Sequence, residues 1–333
     1  MAEAHEPGSY LKATLESQPA ELTRLLADDS AARAATRLRG CSRIFLAGTG
    51  TSFHGAVAGQ FILRSAGLEA WAVRAFEFAT YPPALRPDDG LILLSHRGSK
   101  RFSRDSLSRF AKDSQHWIAI TGEGSAMEGE GVVHTVIQEK SPVHTASHTA
   151  AMLRIAQVAA ALGSPSWESQ LADLPRMVEH AVDLGSSVAT QVSQTEFRPV
   201  THFVGGGPAR ATAYEGALKL REASHVSAEG HDVEGILHGP LVSIQPGNVV
   251  VLVVQPGPSR ERMREVETAL REIGATVMSF ASPSDLDEVL APIVNVVPLQ
   301  WLAYHVSRKQ GVDADSFRRD EPTYAAAQSK FTL

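Results

Sequence analysis

Residues 215–240, EGALKLREASHVSAEGHDVEGILHGP, hold a dense group of acid–base side chains. Glu215, Lys219 and Glu222 are spaced i, i+4 and i+7, which places them on one face of a helix, whereas we expect Leu218 to point toward the core. Such a stripe is most often a solvated face held by ion pairs. This stretch follows a glycine-rich loop, however, and a second polar cluster follows it. We therefore interpret the stripe as a candidate site for general acid–base catalysis.

The second polar cluster consists of Glu229, His231, Asp232, Glu234 and His238. Histidines and carboxylates so close together could suggest a metal site, but local ligand spacing such as HExxH is absent. We expect neither a metal nor another cofactor. His238 precedes Gly-Pro in a predicted turn, where a histidine can reach a ligand, although a histidine in a turn is more often only hydrogen-bonded.

The first half of the chain has a loop of small residues, Gly48-Thr49-Gly50-Thr51-Ser52, between an apolar run and a predicted helix. Small residues let the backbone approach a ligand, and the N-terminus of a helix presents free N–H groups to an anion. The hydroxyls of Thr51 and Ser52 add donors. Serine and threonine at such a junction can also be simple N-caps.

A second loop, Ser95-His96-Arg97-Gly98-Ser99-Lys100-Arg101, stands in the same position after another apolar run. Three of its residues are cations at the start of a helix, where the helix dipole favours anions. An anionic partner explains this arrangement, although the side chains could also project into water. Two such loops at neighbouring strand ends together favour phosphate binding.

Short aliphatic runs that alternate with loops and helices must position these residues. The runs are 44–47, 91–94, 117–120, 202–204, 249–254 and 276–280. This alternation predicts βαβ units with buried parallel sheets. A helical region from about Thr149 to Ala189 separates two copies of the pattern. We predict a lead-in helix at 1–34, modules at 35–160 and 190–333, and a connecting helical region at 161–189. Ligands of such sheets bind at the carboxyl ends of the strands.

Composition excludes several other classes of protein. The 333 residues are 43% hydrophobic and 20% charged with a net charge of −6, which is ordinary for a soluble globular protein and gives no basic surface for nucleic acid. The single cysteine, Cys41, excludes a disulfide framework. The N-terminus does not look like a signal peptide, and no apolar run approaches the roughly 20 residues of a membrane span. We expect a cytoplasmic protein without a nucleic-acid or membrane partner.

Several motifs together resemble the SIS (sugar isomerase) family, and in particular the isomerase half of glucosamine-6-phosphate synthase. YEGALKLREASHVSAEG and LHGPLVSI resemble its EGALKLKE…AE…HGPL pattern, and PLQWLAYHVSRKQGVDAD resembles its PLQLLAYH segment. LAGTGTSFHGA, ESQP and VRAFEF resemble its CGTSY loop, EQP and ASEF. The resemblance implies an α/β fold of two tandem SIS modules. Each would be a parallel sheet flanked by helices, in a flavodoxin- or Rossmann-like α/β/α sandwich.

The resemblance also implies functions for individual residues. Lys219 and Glu222 match the active-site lysine and glutamate, and His238 matches the ring-opening histidine. The tail's Schiff-base lysine aligns with either Lys330 or Ser329, and Lys330 is the candidate because it is the only lysine there. The residues expected to bind the phosphate or substrate are Gly50, Thr51, Ser52, Ser95, His96, Arg97, Ser99, Lys100 and Thr145.

This chain differs from the family pattern at several positions, and these differences change the expected reaction. The synthase's glutaminase domain has no counterpart, so we expect no glutaminase activity. The family's SQSGET loop is SHRGSK here, which loses hydroxyl and carboxyl groups but gains Arg97 and Lys100. We expect a homodimeric enzyme for an aminosugar or ketosamine phosphate, catalysing aldose–ketose isomerisation, deamination or both, as in a glucosamine-6-phosphate deaminase or isomerase. The alternatives are a non-catalytic sugar-phosphate sensor and a fructosamine-phosphate deglycase.

Overall fold

The computed structural model describes residues 6–163, 166–197 and 199–332. Its strands are β1 Arg43–Gly48, β2 Glu69–Arg74, β3 Asp89–Leu94, β4 Trp117–Glu123, β5 Val132–Ile137, β6 Thr201–Gly205, β7 Ala228–Asp232, β8 Val249–Val254 and β9 Thr276–Ala281. Its α-helices are α1 Ser9–Leu26, α2 Ser30–Ala35, α3 Thr51–Ser65, α4 Ala75–Thr80, α5 Arg101–Phe110, α6 Ala146–Gly163, α7 Glu168–Asp183, α8 Gly185–Ser193, α9 Ala209–Ser224, α10 Arg260–Ile273, α11 Ala291–Gln310 and α12 Pro322–Gln328. No helix among the described residues combines the length and apolar character needed to cross a membrane.

The chain divides into two compact units. The four-stranded unit comprises the residues up to Ser17, Lys140–Thr145 and Arg176–Phe317. The five-stranded unit comprises Gln18–Glu139, Ala146–Pro175 and the residues from Arg318 onward. Each unit therefore contains one of the two sheets.

The five-stranded unit contains a parallel sheet with the strand order β2-β1-β3-β4-β5. The central strands are continuous apolar runs because helices cover both faces of the sheet. On one face, Phe45 and Leu91 pack with Phe78 of α4 and Phe110 of α5. On the other face α3 lies close to the sheet, since an added Cβ at Gly59 would be 2.7 Å from Leu46. The result is the α/β/α sandwich that the sequence predicts.

The four-stranded unit has a parallel sheet in the order β7-β6-β8-β9, which repeats the order of β2-β1-β3-β4. The turn after the first strand of each sheet is also repeated. Gly50 after β1 has φ 57° and Gly207 after β6 has φ 56°, a left-handed conformation that favours glycine. An added Cβ at Gly48 would be 2.5 Å from the Ser52 carbonyl, and one at Gly205 would be 2.3 Å from that of Ala209. The structure thus confirms the predicted pair of α/β modules.

The described structure differs from the sequence expectation in two respects. It adds β2, β5 and β7, which are all edge strands and which the aliphatic runs did not indicate. β7, AEGHD, carries mostly polar side chains, so its sequence indicates a polar cluster and not a strand. The helical region expected from about Thr149 to Ala189 is divided among α6, α7 and α8. Edge strands need fewer apolar residues because only one neighbour and part of a face cover them.

Candidate active site

Helix α9 carries the acid–base stripe and is held close to the sheet of its unit. It follows β6 and Gly205-Gly206-Gly207, and it ends where His225 adopts a left-handed conformation with φ 61°. An added Cβ at Gly216 would be 2.8 Å from Phe203 of β6 and 2.9 Å from Leu299 of α11. The glycine of EGALK therefore lets the helix approach both neighbours.

Lys219 lies between two carboxylates on this helix. Its Nζ is 2.5 Å from Oε2 of Glu222 and 3.3 Å from Oε1 of Glu215. The Glu215 side chain is fully buried, that of Lys219 is 1% exposed and that of Glu222 is 19% exposed. Of the three side chains, Glu222 is therefore the one that a ligand can contact most readily.

The charge balance of this trio keeps the lysine protonated. Burial by itself would lower the pKa of Lys219, but the charges of Glu215 and Glu222 and their hydrogen bonds outweigh it and raise the pKa above 10.5. The ammonium of Lys219 is therefore a fixed positive charge beside the partly exposed carboxylate of Glu222.

The predicted common face of Glu215, Lys219 and Glu222 is confirmed by their contacts. The alternative of a solvated stripe is wrong, because Glu215 and Lys219 are among the buried residues of the chain. Leu218 is only partly buried, and its predicted orientation toward the core stays a prediction. The face of α9 that carries the ion pairs is turned inward. The buried charges of Glu215 and Lys219 must therefore be paired.

The second polar cluster of the sequence separates into two groups. His238 is 77% exposed, its Nε2 is 3.4 Å from Glu234, and Glu234 in turn accepts a hydrogen bond from Arg262. Asp232 accepts hydrogen bonds from the N–H groups of Glu234 and Gly235 and thereby closes a turn. Glu229 and His231 lie on β7, before this turn, and both are close to His202 of β6, which the sequence did not indicate as a site residue.

The first predicted phosphate loop lies where β1 ends and α3 begins. The Ser52 N–H donates to the Thr49 carbonyl and the Phe53 N–H donates to the Gly50 carbonyl, so the turn is held by its own backbone. Thr51 and Ser52 are the first residues of a 15-residue helix and remain partly exposed. Their position fits the predicted binding of an anion at a helix N-terminus.

The second predicted phosphate loop lies in the same unit, between β3 and α5. Ser95 is buried, and its carbonyl accepts a hydrogen bond from Gly98, which has φ 67°. Its backbone N–H donates to the Ile120 carbonyl at 3.0 Å, which ties the loop to β4. Ser99 is exposed. The loop thus has a defined conformation at the carboxyl end of a central strand, as the sequence predicts.

His96 has a structural function in this loop. Its Nε2 accepts a hydrogen bond from the Glu139 N–H at 3.2 Å, and its carbonyl accepts one from the Gln138 side chain. An added Cβ at Gly122 would lie 2.5 Å from the His96 ring, so the ring packs directly over that glycine. The ring is directed at the protein rather than displayed as a phosphate ligand, and substrate binding by His96 stays a prediction.

Arg97 and Lys100 form the cationic part of the second loop. Among the described residues, neither side chain forms an ion pair or a side-chain hydrogen bond, whereas the neighbouring Arg101 lies 3.7 Å from Asp105. Burial, together with the positive charges of Arg97 and Arg319, lowers the pKa of Lys100. An anion at this position would remove the repulsion among the three cations.

Two further sequence-predicted residues lie in different surroundings. Thr145 is buried and its hydroxyl donates to the Thr14 hydroxyl at 3.1 Å. Lys330 is exposed just beyond α12, and its backbone N–H donates to the Ala327 carbonyl. Their proposed contacts with substrate stay predictions.

Sequence reasoning missed the residues that support the loops. Glu139 is buried and accepts a hydrogen bond from the Ser147 N–H at 2.5 Å, at the start of α6. His202 of β6 contacts His231, and it was noted only as the first residue of an aliphatic run. No local spacing identifies these residues, because Glu139 also contacts His96, 43 residues away along the chain, and His202 and His231 are 29 residues apart.

The described folds and loops define a duplicated α/β protein with glycine turns and hydroxyl-bearing or cationic loops at the carboxyl ends of its strands. The family model of the SIS domain matches residues 37–162 and 201–305. The chain therefore belongs to the SIS domain family, which confirms the resemblance drawn from the EGALKLRE and HGPL motifs.

Two curated relatives with the same name are similar to this chain over most of its length. Glutamine–fructose-6-phosphate aminotransferase (isomerizing) of Methanothermobacter thermautotrophicus is 29% identical over 294 residues, which cover 82% of this chain and 50% of the relative. The protein of the same name from Gloeobacter violaceus is 28% identical over 354 residues, covering 96% of this chain and 57% of the relative. The chain thus spans about half the length of these relatives.

Solved structures with the same fold include two named phosphosugar enzymes. Glucosamine-6-phosphate deaminase from Thermotoga maritima matches with a TM-score of 0.80 at 20% identity, over 92% of this chain and 97% of that chain. Tagatose-6-phosphate ketose/aldose isomerase from Escherichia coli matches with a TM-score of 0.79 at 20% identity, over 93% and 98%. At 20% sequence identity, the similarity to these two structures shows the fold alone.

Proposed function

We propose that the protein is an enzyme that binds a phosphorylated sugar and moves a proton between two neighbouring carbons of it. The observation that carries the proposal is the buried α9 trio, in which Lys219 contacts two carboxylates and only Glu222 keeps a substantial exposed fraction. Burying such charges is unfavourable for folding, because each loses its hydration. A buried ionisable group with a shifted pKa, here Lys219, beside a partly accessible carboxylate is typical of catalytic sites.

Glu222 acts as the proton shuttle in this proposal. Its carboxylate removes a proton from C1 or C2 of the open-chain sugar and returns it to the other carbon, through an enediol or an enolamine intermediate. For an amino sugar, the resulting imine is hydrolysed by water, which releases ammonia and leaves the ketose. General acid–base catalysis of this kind contributes about 10²–10⁴-fold to a rate.

Lys219 contributes a fixed positive charge to the same step. Because its pKa is raised, it stays protonated at neutral pH and offsets the negative charge that develops on the substrate. Glu215 holds the ammonium from the other side, at 3.3 Å. The lysine therefore stabilises charge without itself exchanging the proton.

The loops of the five-stranded unit bind the phosphate in this proposal. Thr51 and Ser52 offer hydroxyls at the N-terminus of α3, and Arg97 and Lys100 offer cations at the start of α5. Binding energy from a phosphate remote from the reacting carbons orients those carbons for reaction. The relatives and structural neighbours are named as phosphosugar enzymes, which supports this substrate class.

His238 is proposed to assist ring opening, and the active protein is proposed to be a homodimer. A side chain that is 77% exposed on a turn is available to a second copy of the chain. Imidazole is suited to the step because its two ring nitrogens can donate and accept hydrogen bonds. Lys330 remains the candidate for a Schiff base with a ketose carbonyl.

The direct experiment offers the full chain a panel of hexose, hexosamine and fructosamine 6-phosphates and measures ketose, aldose, ammonia and free amine. We expect turnover of at least one aldose, ketose or amino sugar phosphate. Release of an amine from fructosamine phosphates alone would instead establish a deglycase. Binding without turnover of any compound would contradict the enzymatic proposal and indicate a sensor.

A matched pair of variants tests the second loop. Lys100→Met removes a cation that has no protein partner, whereas Arg101→Met removes its neighbour, which has Asp105 nearby. A charge-assisted hydrogen bond contributes about 1.5–3 kcal/mol, so Lys100→Met should raise KM by roughly 10–100-fold and Arg101→Met by far less. Equal, small effects of both variants would remove Lys100 from the phosphate site.

A further inference from the structure

Two histidines and a glutamate meet on the first two strands of the four-stranded sheet. His202 of β6 is paired in register with Glu229 of β7, and Val204 is paired with His231. Side chains alternate between the faces of a strand, so His202, Glu229 and His231 share one face. Phe203 and Gly230 alternate with them and are turned toward α9. The three polar side chains therefore lie on the sheet face opposite α9, which is the face that α10 covers.

The distances within this cluster match those between ligands of one metal ion. Nδ1 of His202 is 3.1 Å from Nε2 of His231, and Oε2 of Glu229 is 3.5 Å from His231 and 3.8 Å from His202. Ligands held at about 2.0–2.1 Å from a tetrahedral Zn²⁺ are about 3.3–3.5 Å from one another. One donor atom from each residue can thus reach a common centre with only small adjustments.

The burial of the three side chains suits a binding site with two fixed ligands, His202 and His231, and one accessible ligand, Glu229. His202 is 5% exposed and His231 is 11% exposed, so surrounding atoms hold both rings. Glu229 is 59% exposed and lies on an edge strand, so it can close over an arriving ion. Such a site leaves a fourth position for water.

We propose that His202, His231 and Glu229 form a binding site for one divalent transition-metal ion of the Zn²⁺ or Co²⁺ type. Two imidazole nitrogens and one carboxylate oxygen are the donor set that such borderline ions prefer, whereas Mg²⁺ and Ca²⁺ prefer oxygen ligands alone. The sequence does not indicate this set of ligands, because His202 lies on β6 while Glu229 and His231 lie on β7. Only the parallel pairing of the two strands brings the three residues together.

The competing explanation is a hydrogen bond between two neutral imidazoles, which the 3.1 Å distance also allows. That arrangement needs no third ligand, so Glu229 would be dispensable for it. A metal site instead requires all three residues. The contribution of Glu229 to metal binding therefore separates the two explanations.

The decisive experiment is calorimetric titration of the metal-free, full-length protein with Zn²⁺, paired with visible absorption of the Co²⁺ complex. We expect one ion per chain with a dissociation constant in the micromolar range or below, and the intense visible bands of tetrahedral Co²⁺. Glu229→Gln and His231→Gln should each weaken binding by at least about tenfold, because each removes one of three ligands. Both readouts are independent of enzymatic turnover.

His238→Gln is the matched control, because it removes another histidine next to a glutamate in the same unit. His238 and Glu234 offer only two donors on an exposed turn, so this variant should leave the stoichiometry and affinity unchanged. Circular dichroism and thermal melting without metal verify that each variant is folded. The proposal is overturned if no stoichiometric binding occurs at 100-fold excess Zn²⁺, if Glu229→Gln binds like the wild type, or if His238→Gln abolishes binding.

Discussion

Removal of the Lys219 side chain should affect stability strongly, because its ammonium lies between two carboxylates and one of them is fully buried. Lys219→Met should destabilise the protein by about 3–5 kcal/mol, since it takes the cation from a buried carboxylate. The raised pKa also has a consequence in the wild type. The interaction contributes stability below pH 10.5 and is lost as the pH rises through the folded-state pKa.

Chemical denaturation of Lys219→Met and of the double variant Glu215→Gln/Lys219→Met measures this effect. The double variant should be the more stable of the two, because it no longer buries the charge of Glu215. The account of the trio is wrong if Lys219→Met costs less than about 1 kcal/mol, or if the additional Glu215→Gln change restores nothing.

The sequence predicted which residues of the trio share a face, because helical spacing determines this directly. It did not predict their burial, since the same i, i+4 pattern is more often solvated and only the packing of α9 distinguishes the two cases. Nor did it predict that Leu218 is only partly buried. His202 and Glu139 were missed for a related reason, because their contacts come from distant segments.

At the scale of elements, the close approach of α9 to its sheet depends on Gly216. Gly216→Ala would place a methyl group 2.8 Å from Phe203 and 2.9 Å from Leu299. Overpacking costs about 1–3 kcal/mol, and alanine's better helix propensity returns up to about 1 kcal/mol. We expect a net loss of stability, measured as a lower denaturation midpoint, together with reduced turnover because Lys219 and Glu222 lie on the same helix.

A double-mutant cycle with Leu299→Ala is the control for this prediction. Removing the leucine side chain makes room for the added methyl group, so the two changes together should cost less than the sum of the single changes by at least about 0.5 kcal/mol. Strict additivity would show that the helix and its neighbours tolerate the methyl group without strain.

Whether the sequence indicated a strand depended on the position of that strand in its sheet. Central strands such as β3 and β8 are continuous aliphatic runs, so the sequence indicated them directly. The edge strands β2, β5 and β7 were missed because partial cover lets them carry polar residues. For β7 the error had a functional consequence, since its His231 and Glu229 were read as part of a polar cluster and not as strand residues facing β6.

At the scale of the whole molecule, the chain is a duplicated fold whose two units retain the same turn and differ in the chemistry attached to it. The β1 turn leads into a helix that begins with hydroxyls, and the β6 turn leads into the helix with the buried ion pairs. The aliphatic runs predicted this duplication. The proposed enzyme uses the hydroxyl-bearing and cationic loops for phosphate binding and the α9 trio for proton transfer.

The most direct test of this account is the exchange of substrate hydrogen with solvent, followed by NMR in D₂O with the sugar phosphate that the substrate panel identifies. We predict that the wild type incorporates deuterium at C1 or C2, and that Glu222→Gln loses this exchange by about 10²–10⁴-fold while still binding the sugar phosphate. Glu261→Gln, which changes an exposed glutamate of α10, should behave like the wild type. Exchange by Glu222→Gln at the wild-type rate would contradict the assignment of proton transfer to α9.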